Sequence, residues 1–137
     1  MPKFGHQRDL LGQEIVDFDE RVNIQRLKEE RLAKLQKELA NANLGGMLMF
    51  DTLNIRYATG ERTSGVYNMR FLQRYAIVPQ EGPVILFGSI GDAPEDTEFV
   101  KHRVARSWDY FPTGRNVEAA VKLWADGIQD TLIELGI

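Results

Sequence analysis

Two apolar runs joined by a turn constrain the fold of this 137-residue chain more than any other feature. The runs "YAIV" and "VILF" consist of strand-forming residues, and the turn-forming stretch "PQEGP" separates them. This arrangement predicts a β-hairpin. An earlier run, "GMLMF", is continuously apolar, which predicts a short strand covered on both faces. The chain therefore has to fold around a β-sheet.

Helical patterns precede and follow these strands. Between Val22 and about Asn43, apolar residues repeat on one helical face, at Leu32, Leu35, Leu39 and Ala42. A second stripe near the end of the chain runs through Val117, Ala120, Val121, Trp124, Ile128, Thr131, Leu132 and Leu135. We expect Asn116 to cap the start of this helix and Gly136 to end it, with Trp124 in the core or an interface.

The remaining segments complete an α/β pattern. "NIRYATG" is interpreted as a strand or strand end, residues Thr97 to Val104 as a short helix, and "SWDYFP" as an aromatic strand. The predicted order is α-β-β-β-β-α-β-α, which implies an α/β domain with a mixed sheet and helices on its faces. Residues 1–20 are interpreted as an arm and residues 21–137 as one domain. The final glycine and Ile137 resemble a cut before a further element.

Composition excludes several classes of function. The absence of cysteine excludes disulfides, thiolate metal sites and cysteine nucleophiles. The 17 basic residues are offset by 20 acidic ones, so a net charge of −3 provides no global attraction to nucleic acid. No stretch has the apolar length of a signal peptide or a membrane span, and we expect a cytoplasmic protein that binds neither nucleic acid nor membrane.

The motifs of common catalytic and cofactor sites are missing. "GERTSG" has the glycine spacing of a phosphate loop, but Val66 and Tyr67 follow where lysine and a hydroxyl residue belong. His102, flanked by Lys101 and Arg103, is interpreted as a solvated helix residue. The acidic run at Asp92, Glu95, Asp96 and Glu98 lacks the register of a calcium loop and is interpreted as a solvated loop. No serine lies in a G-x-S-x-G motif.

Two polar clusters remain after "GMLMF". The first, Asp51, Asn54 and Arg56, follows the predicted strand end directly. The second lies in "SGVYNMRFLQRY" and mixes aromatic and cationic side chains, at Tyr67, Arg70, Phe71 and Arg74. From the residues alone, this second segment is equally well a loop folded back on the sheet or a loop that lends cations and aromatic faces to a pocket.

The stretch "RLAKLQKELANANLGGMLMFDTLNIRYATG", followed by "RYAIVPQEGPVILF", resembles the N-terminal domain of the creatinase/prolidase superfamily. The resemblance covers about residues 21–137, and the phrasing "LMFDTLNIRYAT" is similar to the dimethylsulfoniopropionate lyase branch. It implies a ribonuclease-H-like mixed sheet of about six strands, flanked by helices, ahead of a separate catalytic domain. That domain would hold a divalent metal pair (Mn, Zn, Co or Fe), so this chain should contain neither catalytic residues nor metal ligands.

The resemblance also implies roles for the polar clusters. Domains of this type support homodimer formation, and their loops can wall the partner subunit's pocket for a peptide or small-molecule substrate. Tyr67, Arg70, Phe71 and Arg74 match the position of such a wall, whereas Asp51, Asn54 and Arg56 are expected to be structural. Gln73 stands where a creatinase-like pocket would favour arginine, which argues against creatine as substrate.

Three functions follow as hypotheses. The chain is expected to be the non-catalytic domain of a metal-dependent hydrolase of the Xaa-Pro dipeptidase or aminopeptidase type, with its own C-terminal catalytic domain as partner. The alternatives are the corresponding domain of a lyase-like member, or a free-standing binding module without catalysis.

Overall fold

The computed structural model describes residues 23–61, 74–88, 96–105 and 116–137. These residues form, in chain order, α1 (Ile24–Asn41), β1 (Gly46–Met49), α2 (Thr52–Thr59), β2 (Tyr75–Pro79), β3 (Val84–Gly88), β4 (Val100–Val104) and α3 (Val117–Leu135). The four strands make one sheet in the order β1-β2-β3-β4. The first three strands are antiparallel neighbours, and β4 is parallel to β3. The predicted α/β class and mixed sheet are confirmed, with four of about six expected strands in the described residues.

The predicted hairpin is the centre of the sheet. Tyr75 pairs with Phe87 and Ile77 pairs with Ile85, so side chains along β2 and β3 alternate between the two faces. Both faces are buried. One carries the core formed with α1 and α2, which contains Leu32, Leu39, Met49, Ile55, Ala58, Ala76, Val78, Val84, Leu86 and Val100. The other carries Tyr75, Ile77, Ile85, Phe87 and Ala105, packed against α3.

Both long helices lie where their apolar stripes predict. In α1, Leu32 and Leu39 are buried and Leu35 packs beside them, whereas Ala42 is exposed because the helix ends at Asn41. In α3, Trp124, Ile128, Leu132 and Leu135 of the predicted stripe pack against the second face, whereas Val117 and Val121 are exposed. These contacts place one helical layer on each side of the sheet.

Of the two predicted caps of α3, only the C-terminal one is confirmed. Gly136 adopts a left-handed φ of 72°, which glycine tolerates without the steric cost of a Cβ. The prediction for Asn116 is wrong, because its φ of 49° is left-handed and its side chain makes no capping hydrogen bond. An N-cap side chain reaches the first-turn N–H groups from an extended backbone, which Asn116 does not have.

The stretch "NIRYATG" is a helix, which corrects the strand prediction. Asp51 accepts a hydrogen bond from the backbone N–H of Asn54, and Gly60 ends α2 at a φ of 70°. Ile55, Ala58 and Thr59 are buried at helical spacing. A residue typical of an N-cap and a left-handed glycine, eight residues of helix apart, are the signals that the strand interpretation overlooked.

The predicted helix at Thr97 to Val104 is instead a turn followed by β4. The Thr97 hydroxyl accepts hydrogen bonds from the backbone N–H groups of Phe99 and Val100, and the strand starts at Val100. Parallel pairing with β3 overrides the weak helical pattern. The observed order is therefore α-β-α-β-β-β-α. The arm at residues 1–20 and the strand predicted for "SWDYFP" lie outside the described residues.

The prediction that "GMLMF" is covered on both faces is also wrong. Met49 is buried, but Met47 and Leu48 are each 37% exposed. Among the described strands β1 has a neighbour on one side alone, because it is the first strand of the sheet.

Candidate functional site

Polar residues that are far apart in the sequence lie close together at one edge of the sheet, the edge that the strand ends form. At this edge β1, β3 and β4 end and β2 begins, because Met49 pairs with Ala76 and Gly88 pairs with Val104. The helix α2 starts there directly after β1. In open α/β sheets, ligands bind outside the carboxyl ends of the strands. This edge is therefore the candidate functional site.

Glu61 joins two cationic or basic side chains at this edge. Its Oε2 accepts a hydrogen bond from Arg74 Nη2 at 2.9 Å, and its Oε1 lies 2.7 Å from His102 Nε2. The side chains of Glu61, Arg74 and His102 are 14%, 13% and 9% exposed. Together with Asp96 they form what we call the Glu61 network. Low exposure makes its contacts electrostatically stronger than those of a surface pair, and costlier to break.

His102 is the residue whose position differs most from its prediction. It was expected on a solvated helix, but it lies on β4 two residues after the buried Val100, so its side chain shares the buried face. Its Nδ1 lies 3.3 Å from Asp96 Oδ1, opposite the Glu61 contact. A neutral imidazole has one N–H donor, whereas an imidazolium has two and can donate to both carboxylates.

Asp96 completes the network from the turn before β4. Its Oδ1 accepts a hydrogen bond from the backbone N–H of His102 at 2.8 Å. This bond is the main reason that the pKa of Asp96 is lowered, and the His102 side chain and Lys101 lower it further. Asp96 was predicted to belong to a solvated acidic loop; its side chain is half-exposed but paired. Asp92 and Glu95 lie outside the described residues.

Arg74 has one unsatisfied donor. Its Nε is buried and has no hydrogen-bond partner within the described part of the chain. The side chain passes over Gly88, where a Cβ would lie 3.7 Å from Arg74 Cγ and Nε. A buried N–H without an acceptor is uncommon. The Nε–H of Arg74 is therefore the group in the network that could donate a hydrogen bond to a further acceptor.

The predicted strand-exit residues lie at the start and in the middle of α2. Asp51 Oδ2 accepts the Asn54 N–H at 2.9 Å, which makes Asp51 the N-cap of α2. Asn54 contributes its backbone to this bond, and Arg56 is exposed in the last turn of the helix. Asp51 and Asn54 thus lie together at the start of α2, and Arg56 lies further along the same helix.

Of the predicted pocket residues, Arg74 alone is in the described part of the chain. Tyr67, Arg70 and Phe71 lie outside it. Glu61 and Arg74 are the described residues that flank this segment, and their ion pair holds the two flanking positions together.

Two clefts lie beside the sheet, one next to Glu61 and one next to α3. A cleft of about 250 Å³ adjoins Glu61 and is lined by Gln25, Lys28, Thr59, Thr97, Glu98, Phe99 and Val100. A second, of about 400 Å³, lies between the sheet and α3. There Arg103 donates to Glu134 Oε1 at 2.7 Å and to Thr131 Oγ1 at 3.3 Å. The Arg103 hydrogen bond lowers the pKa of Glu134.

Sequence reasoning missed the pairing of Glu61 with His102, which are 41 positions apart. One signal could have indicated it: in "VKHRVA", Val100, His102 and Val104 alternate with charged residues in the manner of a strand. That pattern would have placed His102 on the face of Val100. The choice of Glu61 as its partner depends on the tertiary fold.

The described residues offer no metal site. No group of three or more His, Asp or Glu side chains in that part of the chain is arranged to hold a metal ion. The Glu61 network does not fit the metal pair expected of a related enzyme.

No helix in the described ranges is long and apolar enough to cross a membrane.

The mixed sheet between helical layers, with its polar edge, defines a three-layer α/β domain. The sequence model of the creatinase/prolidase N-terminal domain matches residues 31–126. The chain therefore belongs to the creatinase/prolidase N-terminal domain family, as the resemblance predicted.

Among curated proteins, the chain is similar to a lyase. The dimethylsulfoniopropionate lyase DddP of Roseovarius nubinhibens is 27% identical over 118 residues, which cover 83% of this chain. The aligned part makes up 26% of the lyase, so the chain spans about a quarter of that protein's length.

Proposed function

We propose that this chain is the non-catalytic N-terminal domain of a creatinase/prolidase-like, metal-dependent hydrolase of the Xaa-Pro peptidase type. Its role is to support dimer formation and to shape the substrate pocket of the partner subunit. The family match over residues 31–126 carries this proposal. The metal ligands would belong to a following catalytic domain.

The Glu61–Arg74 ion pair supports the pocket-shaping role. It fixes residues 61 and 74 at the edge where ligands of α/β sheets bind, and Tyr67, Arg70 and Phe71 lie between these two positions in the sequence. A buried, hydrogen-bonded ion pair restricts both flanking backbones, and a segment with fixed ends loses less conformational entropy when it contacts a ligand.

A second candidate is the equivalent domain of a dimethylsulfoniopropionate lyase-like enzyme. The alignment with DddP favours it, because that protein is a lyase of this name and 83% of the chain aligns with it. Both candidates assign the same non-catalytic role to this domain and differ in the substrate class.

Hybrid dimers of the enzyme that contains this domain test the proposal. One subunit carries Phe71→Ala, and the other has wild-type Phe71 and inactivated metal ligands. If the domain walls the partner's pocket, the mixed dimer regains activity, because the intact catalytic site receives the wild-type segment from its partner. Activity per intact metal site no greater than that of the Phe71→Ala homodimer would contradict the proposal. Parallel assays with an Xaa-Pro dipeptide and dimethylsulfoniopropionate separate the two candidates.

A further inference from the structure

One surface of the described domain, formed by α1 and α2, exposes apolar and basic side chains side by side. Leu53 and Tyr57 lie one turn apart on α2 and are 73% and 39% exposed. The Arg31 guanidinium of α1 lies 5.4 Å from the centre of the Tyr57 ring, which brings a positive charge onto the same surface. Arg56 is exposed next to Tyr57, and Lys28 lies one turn before Arg31. We call these five residues the α1–α2 face.

The cations of the α1–α2 face have no acidic partner in the part of the chain that the structure describes. Lys28, Arg31 and Arg56 form no ion pair with any carboxylate there. Helix α2 itself contains no acidic residue from Thr52 to Thr59. An exposed apolar patch with uncompensated positive charge is complementary to a partner that is both apolar and acidic.

The chain contains a segment of this character outside the described residues. Residues 14–20, "EIVDFDE", have four carboxylates, three apolar side chains and no basic one. Residues 62–73 and 106–115 are each net positive, because they contain two arginines with no acid and two arginines with one aspartate, respectively. Residues 89–95 have two carboxylates but a single large apolar side chain, Ile90. Of these segments, residues 14–20 therefore match the face best in both charge and apolar character.

The start of α1 brings this segment within reach of the face. The Asn23 side chain accepts the backbone N–H of Arg26, so α1 begins directly after Asn23, and residues 14–20 end three positions before this cap. A Cβ on Gly60 would lie 2.5 Å from Lys28 Cγ and Cε, so the start of α1 lies beside the end of α2. Seven extended residues span about 23 Å, whereas a helix of the length of α2 spans about 12 Å. The segment is therefore long enough to run along the whole of α2.

We propose that residues 14–20 pack on the α1–α2 face of their own chain. Their apolar side chains cover Leu53 and Tyr57, and their carboxylates pair with the three cations of the face. The segment then ties α1 to α2 and removes from water Leu53, the most exposed of the large apolar side chains in the described ranges. This contact lies within one chain and does not depend on the proposed function.

A single spin label tests the contact, because the chain has no cysteine of its own. Gln13→Cys places a nitroxide directly before the segment without changing any of the segment's side chains. We expect the NMR amide signals of α2 to be lost through paramagnetic broadening and to return when the nitroxide is reduced. The signals of α3, which packs on the opposite face of the sheet, should be retained. Unchanged α2 signals, or a loss in α3 instead of α2, would overturn the proposal.

Charge reversal on the face tests whether the cations hold the segment. Arg31→Glu combined with Arg56→Glu should restore the α2 signals of the spin-labelled protein, because like charges then face each other. Lys34→Glu combined with Lys37→Glu is the matched control, since both lysines are exposed on α1 outside the face, and it should leave the α2 signals broadened. Broadening that persists in both double variants would overturn the proposal.

Salt provides a second measurement if circular dichroism shows that the Arg31→Glu, Arg56→Glu variant does not fold. Contacts between exposed charges are screened as ionic strength rises. The α2 signals of the Gln13→Cys protein should therefore return as sodium chloride is added. Signals that stay lost at high salt would show that the charges do not hold the segment, against the proposal.

Mixed samples distinguish a contact within one chain from a contact between two copies. Spin-labelled protein without isotope is mixed with isotope-labelled protein that lacks the cysteine. We expect the α2 signals of the isotope-labelled copy to stay sharp. Their broadening would show that the segment packs on a second copy, and the proposed contact within one chain would be wrong.

Discussion

Glu61 is the residue on which the polar edge of this domain depends. Each of its carboxylate oxygens faces a different partner, Arg74 or His102, and all three side chains are at least 86% buried. Because two potential cations share one carboxylate, loss of that carboxylate affects both. The network also ties the end of α2 to the start of β2 and the middle of β4, so its effect extends beyond the three side chains.

Glu61→Gln should lower the free energy of unfolding by about 3 kcal/mol, the lower end of the cost of breaking a buried ion pair. The amide keeps the size of the side chain but removes the charge that compensates Arg74. Urea denaturation measures the effect. Glu98→Gln is the control, because Glu98 is exposed and lines the cleft of about 250 Å³ that adjoins Glu61. It should change the free energy of unfolding by less than about 0.5 kcal/mol. Equal effects of the two variants would contradict a central role for Glu61.

Asp96 should make stability depend on pH in the acid range. Its pKa in the folded protein is below the ordinary value of 3.8, so between the two values the unfolded chain binds more protons and stability rises with pH. The contribution is complete above the unfolded pKa and is lost as pH falls through the folded pKa. Asp96→Asn should remove this part of the pH dependence, whereas Glu98→Gln should retain it. Parallel pH profiles of Asp96→Asn and wild type would contradict the assignment.

At the scale of elements, segments with a strong local signal can be predicted and those without one cannot. The stripes of α1 and α3 follow from sequence because each buries a long regular pattern, and the hairpin of β2 and β3 follows because two apolar runs flank a turn. The eight-residue α2 and the five-residue β4 were assigned wrongly. In so short an element, caps and pairing partners decide the structure, and Asp51 and the neighbouring β3 supplied them.

The cap of α2 leads to a simple prediction. Asp51→Ala removes the oxygen that accepts the Asn54 N–H and should cost about 1 kcal/mol of stability. Asp51→Asn retains a capping oxygen and should be close to wild type. Thermal unfolding of the two variants separates a capping role from a charge role. An equal loss in both variants would show that the negative charge matters instead.

The glycine within α3 provides a prediction of the opposite sign. Gly127 lies inside the helix, and an added Cβ would meet no atom of the described residues within 4 Å. Gly127→Ala should therefore stabilise the domain by about 0.5–1 kcal/mol, because alanine loses less backbone entropy in a helix. Denaturant titration measures the gain. A loss of stability would indicate that the cleft beside Arg103 requires the space at Gly127.

At the scale of the whole molecule, the domain is a sheet covered on both faces, with a charged network at its polar edge. The family could be predicted because "GGMLMFDTLNIRYATG" resembles the corresponding stretch of its members. The network could not, because Glu61, Arg74 and His102 are brought together by tertiary pairing of β2, β3 and β4. The described residues thus supply a scaffold and a polar edge.

The coding sequence immediately after Ile137 tests this central claim most directly. We predict an open reading frame of about 200 or more residues, the size of a second domain, that supplies two Asp, one His and two Glu as metal ligands. A stop codon directly after Ile137 would contradict the assignment to a metal-dependent enzyme, and the domain would then be a free-standing binding module.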